Sequence, residues 1–220
     1  MTATKTAPPQ MTGKRGRKQL AEVFPGGGLL ERRLRPRGEL WTDDELMAIG
    51  ADDLKRELWN GKIITMPLAG WRHGDIIVRL STAIAAHVYE NRLGSVYDGQ
   101  TGFRLSTDYC LAPDISFVGK ERVRLILRDQ DKLFHGAPDL AVEVLSPSDP
   151  ITATEKKITL CLIHGTRLAW MADPKNKIVR VYREPRKFEL LRSDQALTGN
   201  ALLPGFRYSL SRLFSDPIPD

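Results

Sequence analysis

The chain holds 220 residues, 41% of them hydrophobic and 27% charged, with a formal net charge of +6; that length suits one good core, with room for an appendage. No apolar run approaches the roughly 20 residues of a membrane helix, the first residues lack the apolar segment of a secretory signal, and the two cysteines, Cys110 and Cys161, stand far apart in no metal-ligand spacing; a reduced, cytoplasmic compartment is expected. The charge is local: nine Lys/Arg and two Glu between positions 1 and 38 give +7 and leave -1 for the rest, so basicity is a property of the tail.

Residues 1–38 carry Pro8-Pro9, Gly26-Gly27-Gly28 and basic runs with little apolar periodicity, and read as a disordered basic tail. Such an arm either binds phosphates without sequence preference or is a solvated leader. Order is expected over 39–215. Thr42, with Glu45 three residues later, forms a capping box that opens a short helix to about Ile49. Asn60-Gly61 between Glu57-Leu58-Trp59 and Lys62-Ile63-Ile64 signals a tight hairpin. From His73 to about Asn91, Ile77, Leu80, Ile84 and Val88 recur at helical spacing, with Gly94 as the stop. Three strands should follow, over 95–105 with interruptions, 111–118 and 137–145, with a helix or helical loop over 121–131 between the last two. Ser146-Pro147-Ser148-Asp149-Pro150 breaks the chain before a second long helix over 153–164 that stops at Gly165. Strands over 168–172 and 178–182 flank the turn Asp173-Pro174-Lys175-Asn176, and 188–191 adds an edge. This order is not a regular βαβ alternation; it fits an α/β fold in which a mixed central β-sheet is flanked by two helices, with peripheral β-hairpins.

Two Pro-Asp runs carry the chemistry. Asp114 sits in Pro113-Asp114-Ile115-Ser116-Phe117-Val118, and Glu143 in Pro138-Asp139-Leu140-Ala141-Val142-Glu143-Val144-Leu145. An ionised carboxylate inside an apolar strand pairs or binds a metal as a rule, and consecutive strands tend to be neighbours; the ordinary alternative for Asp114 is a turn or strand-entry residue after Pro113. Two such carboxylates suit Mg2+ or Mn2+, which takes one or two carboxylates and completes its shell with water and phosphate. Lys157, one turn into the following helix, can reach the carboxyl end of the third strand and hold water or a phosphate oxygen; its ordinary alternative is a surface charge. Glu57 and His73 are expected to assist at the edge of the site, against the alternative of a cap or a solvated side chain. Asp139 reads as a strand-entry residue. No GxSxG, P-loop or HExxH spacing occurs.

At these residues the chain resembles the Uma2 family, also called domain of unknown function 820, of the PD-(D/E)XK nuclease superfamily. The resemblance covers about 40–214 and rests most on the run around Glu143, with Thr101-Gly102-Phe103-Arg104, Pro113 to Val118, Trp170 to Pro174 and Leu203-Pro204-Gly205-Phe206 beside it. It implies a restriction-endonuclease-like fold and metal-dependent endonuclease cleavage of nucleic acid, with DNA as the expected substrate. Asp114 and Glu143 would then be the metal ligands. Leu145 stands where the superfamily lysine belongs, and Lys157 matches the position from which relatives supply it. Cys161 and Lys156 depart from the tyrosine and the acidic residue of relatives. Double-strand cleavage would favour a homodimer. The rival expectation is a non-catalytic nucleic-acid-binding or assembly module that keeps the fold with a dead site.

Overall fold

The structure is a computed structural model that describes residues 29–30, 40–49, 54–129, 133–147, 150–216 and 218. Strand β1 (Leu29–Leu30) precedes helix α1 (Asp43–Ala48), and β2 (Arg56–Trp59) and β3 (Lys62–Thr65) form the first hairpin. Helix α2 (Trp71–Glu90) leads to β4 (Gly94–Asp98), β5 (Phe103–Ser106), β6 (Tyr109–Leu111), β7 (Ile115–Gly119) and helix α3 (Lys120–Asp129). Then come β8 (Phe134–His135), β9 (Leu140–Val144), α4 (Ile151–Ile163), β10 (Leu168–Asp173), β11 (Ile178–Glu184), β12 (Lys187–Leu191), β13 (Ala196–Gly199), β14 (Leu203–Ser209) and α5 (Leu210–Leu213). No helix among the described residues is long and apolar enough to cross a membrane.

The local signals work as the residues dictate. Thr42 Oγ1 accepts from the Glu45 N–H at 3.3 Å, and Glu45 Oε2 accepts from the Thr42 N–H at 2.9 Å, which closes the capping box at the start of α1. Asn60 and Gly61 both take positive φ, 49° and 69°, as a two-residue hairpin turn of this hand requires. Helix α2 buries Ile76, Leu80, Ile84 and Val88, one stripe at helical spacing; Ile76 takes the place expected of Ile77, which is only half-buried.

The central sheet runs β12-β11-β10-β9-β7-β4. Its pairs are antiparallel except β9 with β10, whose parallel pairing is joined through α4, so the sheet is mixed. One face meets α2, where Leu80, Ile84, Phe117, Leu140, Val142 and Trp170 share a core. The other face meets α4, where Ala141, Ala169, Met171, Ile158 and Cys161 pack with Trp59 and Leu111 of a second sheet. That second sheet runs β1-β3-β2-β6-β5-β8. Alternation along β9 sends Leu140, Val142 and Val144 toward α2 and leaves Ala141 and Glu143 on the α4 face.

Four expectations need correction. The strand over 95–105 is two strands, β4 and β5, in different sheets, and the strand over 111–118 likewise divides into β6 and β7. Ala112-Pro113-Asp114 is the crossing between sheets, and proline has no N–H for a ladder; Asp114 therefore stands just before β7 rather than inside a strand. Gly94 does not stop α2, which ends at Glu90. A Cβ on Gly94 would lie 2.0 Å from the Val118 carbonyl oxygen, so the glycine serves the close β4–β7 approach. Within the tail expected to be disordered, Leu29 and Leu30 pair with Thr65 and Ile64; the rest of 1–38 lies outside the described residues, apart from these two. The hairpin of β13 and β14 is an addition to the expected elements.

Candidate active site

Lys157 belongs to the buried stripe of α4, with Thr154, Ile158 and Cys161. Those positions are spaced 3, 4 and 7 along the helix, the spacing of one face, so the surface-charge alternative does not apply. Its Nζ lies 2.7 Å from Glu57 Oε1 and 2.8 Å from Glu143 Oε1, and it donates to the Ala112 carbonyl at 3.0 Å. Two carboxylate oxygens and one carbonyl oxygen thus surround the ammonium, a group that has donors and no acceptor.

Glu57 comes from β2 and has no exposed surface. Its Oε1 also accepts from the Ala112 N–H at 2.9 Å, and its Oε2 accepts from the Trp59 indole at 2.8 Å. With both oxygens engaged, this carboxylate anchors Lys157 and clamps the crossing between sheets. Glu143 differs. Its Oε1 is buried and makes the ion contact with Lys157, yet accepts no aligned hydrogen bond.

Asp114 sits across from Glu143 in the continued register of β7 and β9, since Ile115 pairs with Val142. Asp114 Oδ2 accepts from the Val144 N–H at 2.9 Å and lies 3.4 Å from His73 Nε2 in the first turn of α2. Its Oδ1 accepts from Lys55 Nζ at 3.1 Å. Lys55, His73, Asp114, Glu143 and Lys157 line one cleft of about 360 Å³.

All five residues singled out in the sequence, Glu57, His73, Asp114, Glu143 and Lys157, are therefore gathered in one place. Asp139 is not among them: its Oδ2 accepts from the Gly119 N–H at 2.8 Å, with Arg122 at 3.5 Å, which is a strand-entry role. Lys55 is an addition from the structure. Its one sequence signal is parity, since it stands two residues before Glu57 on the approach to β2, the spacing of one strand face.

The electrostatics divide the carboxylates. Burial pushes Asp114 up, but Lys55, His73 and Lys157 together outweigh it and hold the carboxyl well below the usual range. For Glu143, burial is the largest influence and raises it; Lys157 pulls down, Asp114 pushes up, and the result is about 7. Burial alone would lower Lys157, but Glu143, Glu57 and Asp114 reverse that and raise it. One ammonium among three acids keeps its proton, while the acid with the fewest hydrogen bonds is the one that resists ionising.

Among the described residues no group of three or more His, Cys, Asp or Glu side chains is placed to hold a metal ion. Zinc, which takes three or four protein ligands, does not suit the cleft. Asp114 and Glu143 do suit a harder ion that needs only one or two carboxylates, since both line the cleft.

The profile of a family described as "Uma2: Putative restriction endonuclease" matches residues 43–211. A crystal structure titled as a "putative nuclease belonging to DUF820" from Anabaena variabilis superposes with a TM-score of 0.69, at 28% sequence identity, over 79% of this chain and 97% of that one. No curated protein matches the chain.

Proposed function

Because the chain belongs to the Uma2 family, we propose that it is a divalent-metal-dependent endonuclease that hydrolyses nucleic-acid phosphodiester bonds, with DNA the first substrate to test. The observation that carries this reading is the convergence of Asp114, Glu143 and Lys157 in one cleft, from the sheet crossing, β9 and α4.

Asp114 and Glu143 would hold the ion, Mg2+ or Mn2+, which would supply Lewis-acid stabilisation of phosphoryl charge. The remaining roles belong to the chain itself. Lys157 keeps its proton, so it acts as a cation toward phosphate oxygen and not as a base. Glu57 fixes where that cation stands. His73 and Lys55 hold the Asp114 carboxylate in place, and Lys55 also puts a second positive charge on the cleft wall, where a phosphate would approach.

The test is cleavage of plasmid and oligonucleotide substrates with Mg2+, Mn2+ or EDTA, beside calorimetric titration of each metal. Metal-dependent cutting that disappears in Glu143→Ala, with the variant still folded, supports the reading. Full cutting by that variant removes Glu143 from the mechanism, and no metal heat together with no cutting favours a non-catalytic binding module.

A further inference from the structure

The site is only part of a longer depression. A second cleft of about 490 Å³ adjoins the first through His73 and Ser146, which line both. Arg72, Lys175 and Lys177 line it, and all three are exposed. Its acid, Asp173, is buried and committed to Asn176, whose backbone N–H and side-chain amide donate to it at 3.0 and 2.7 Å. The groove is therefore positive toward solvent, although the chain beyond the first 38 residues carries a net charge of -1.

Next to these clefts the segment 66–71 carries an apolar lip: Leu68 lines the first cleft, and Trp71 lies beside Arg72 of the second. Leu68 is fully exposed at 102% and Trp71 is 67% exposed, while Met66, Pro67 and Leu68 also form a wall of the first cleft. Arg72 packs its guanidinium 4.8 Å from the centre of the Trp71 ring. Exposed apolar side chains grouped beside a cleft and rimmed by polar residues mark an interaction surface. Beside a row of cations, the partner that matches is a polymer with alternating charged and flat apolar parts.

We propose that this groove and lip bind a nucleic-acid strand whose bases are unstacked, single-stranded or locally opened, with phosphates on Arg72, Lys175 and Lys177 and bases against Trp71 and Leu68. A duplex hides the faces of its bases, and an aromatic platform with a basic track reads an open strand. This rests on the nucleic-acid reading of the neighbouring cleft and narrows its substrate class.

The experiment is fluorescence anisotropy of a labelled DNA strand of about 20 nucleotides, the matching RNA strand and the blunt duplex, in EDTA and again with Ca2+; that length exceeds the ~4–16 nucleotides a single-strand site occupies. The expected result is at least tenfold tighter binding of the open strands than of the duplex. Leu68→Ser with Trp71→Ala should weaken open-strand binding by tenfold or more, and both positions are exposed enough for the fold to survive. Lys175→Ala with Lys177→Ala should flatten the salt slope for the open strand by about 1.4, at roughly 0.7 for each phosphate neutralised. A preference for the duplex, or unchanged open-strand affinity in the lip variant, overturns the proposal. The two readings fail separately: lip-dependent binding without metal-dependent cutting removes the nuclease and keeps the groove, whereas duplex cutting that the lip variant leaves intact removes the groove and keeps the nuclease.

Discussion

Lys157 is a buried ammonium between two carboxylates, so its removal should hurt the fold as well as any activity. Lys157→Met leaves Glu57 and Glu143 buried without their cation, and the expected loss is about 3–5 kcal/mol, read by chemical denaturation. Adding Glu57→Gln should return part of that loss, the non-additivity of partners that touch. Glu143→Gln removes a charge that burial already penalises; the variant should fold at least as well as the parent yet lose cleavage by roughly a hundredfold or more, the scale of several kcal/mol of lost charge stabilisation. With Glu143 near 7 instead of 4.5, the folded chain holds more protons than the unfolded one between those values. Its contribution to stability therefore falls as pH rises across that window and levels off above it. Asp114 has the opposite sign, with its contribution full above 3.8 and lost as the pH drops below. Metal must displace the Glu143 proton: affinity should climb up to about tenfold per pH unit below 7, with about one proton released at a pH one unit below that value, in calorimetry run in buffers of different ionisation heat.

At the scale of elements, β9, α4 and the crossing into β7 carry the site. Gly94→Ala drives a methyl into the Val118 carbonyl and should force β4 off β7, at a cost on the order of 1–3 kcal/mol, visible as a lowered melting temperature. Glu143 was legible in the sequence because it interrupts an apolar run, Asp114 because it stands between a proline and an apolar run, and Lys157 because it lies on the helix that follows the Glu143 strand. The hairpin at Asn60-Gly61 and the cap at Thr42 were legible because their chemistry is local. The split of 95–105 and 111–118 between two sheets was not, since an apolar run says that a segment is buried and not which sheet accepts it. Lys55 was hidden for a related reason: a single lysine entering a strand looks like any solvated charge until Asp114 is brought against it from 59 residues away.

For the molecule as a whole, the basic tail and the nearly neutral remainder divide the labour of charge. Deleting residues 1–28 removes five Lys/Arg and one Glu. Non-specific affinity for DNA should fall, and its salt dependence on duplex should flatten by about 0.9 for each phosphate the tail no longer neutralises. Anisotropy across a salt series checks this, while the catalytic constants at saturating substrate stay the same. The crossing at Ala112 has a different consequence. Its N–H holds Glu57 and its carbonyl holds Lys157, so one peptide segment fastens the two sheets together at the very spot where reactivity would arise. If that fastening slips even slightly on warming, the protein should go silent while its spectrum still looks native: heat inactivation would run several degrees ahead of melting, making turnover a more sensitive thermometer of the seam than any probe of bulk structure.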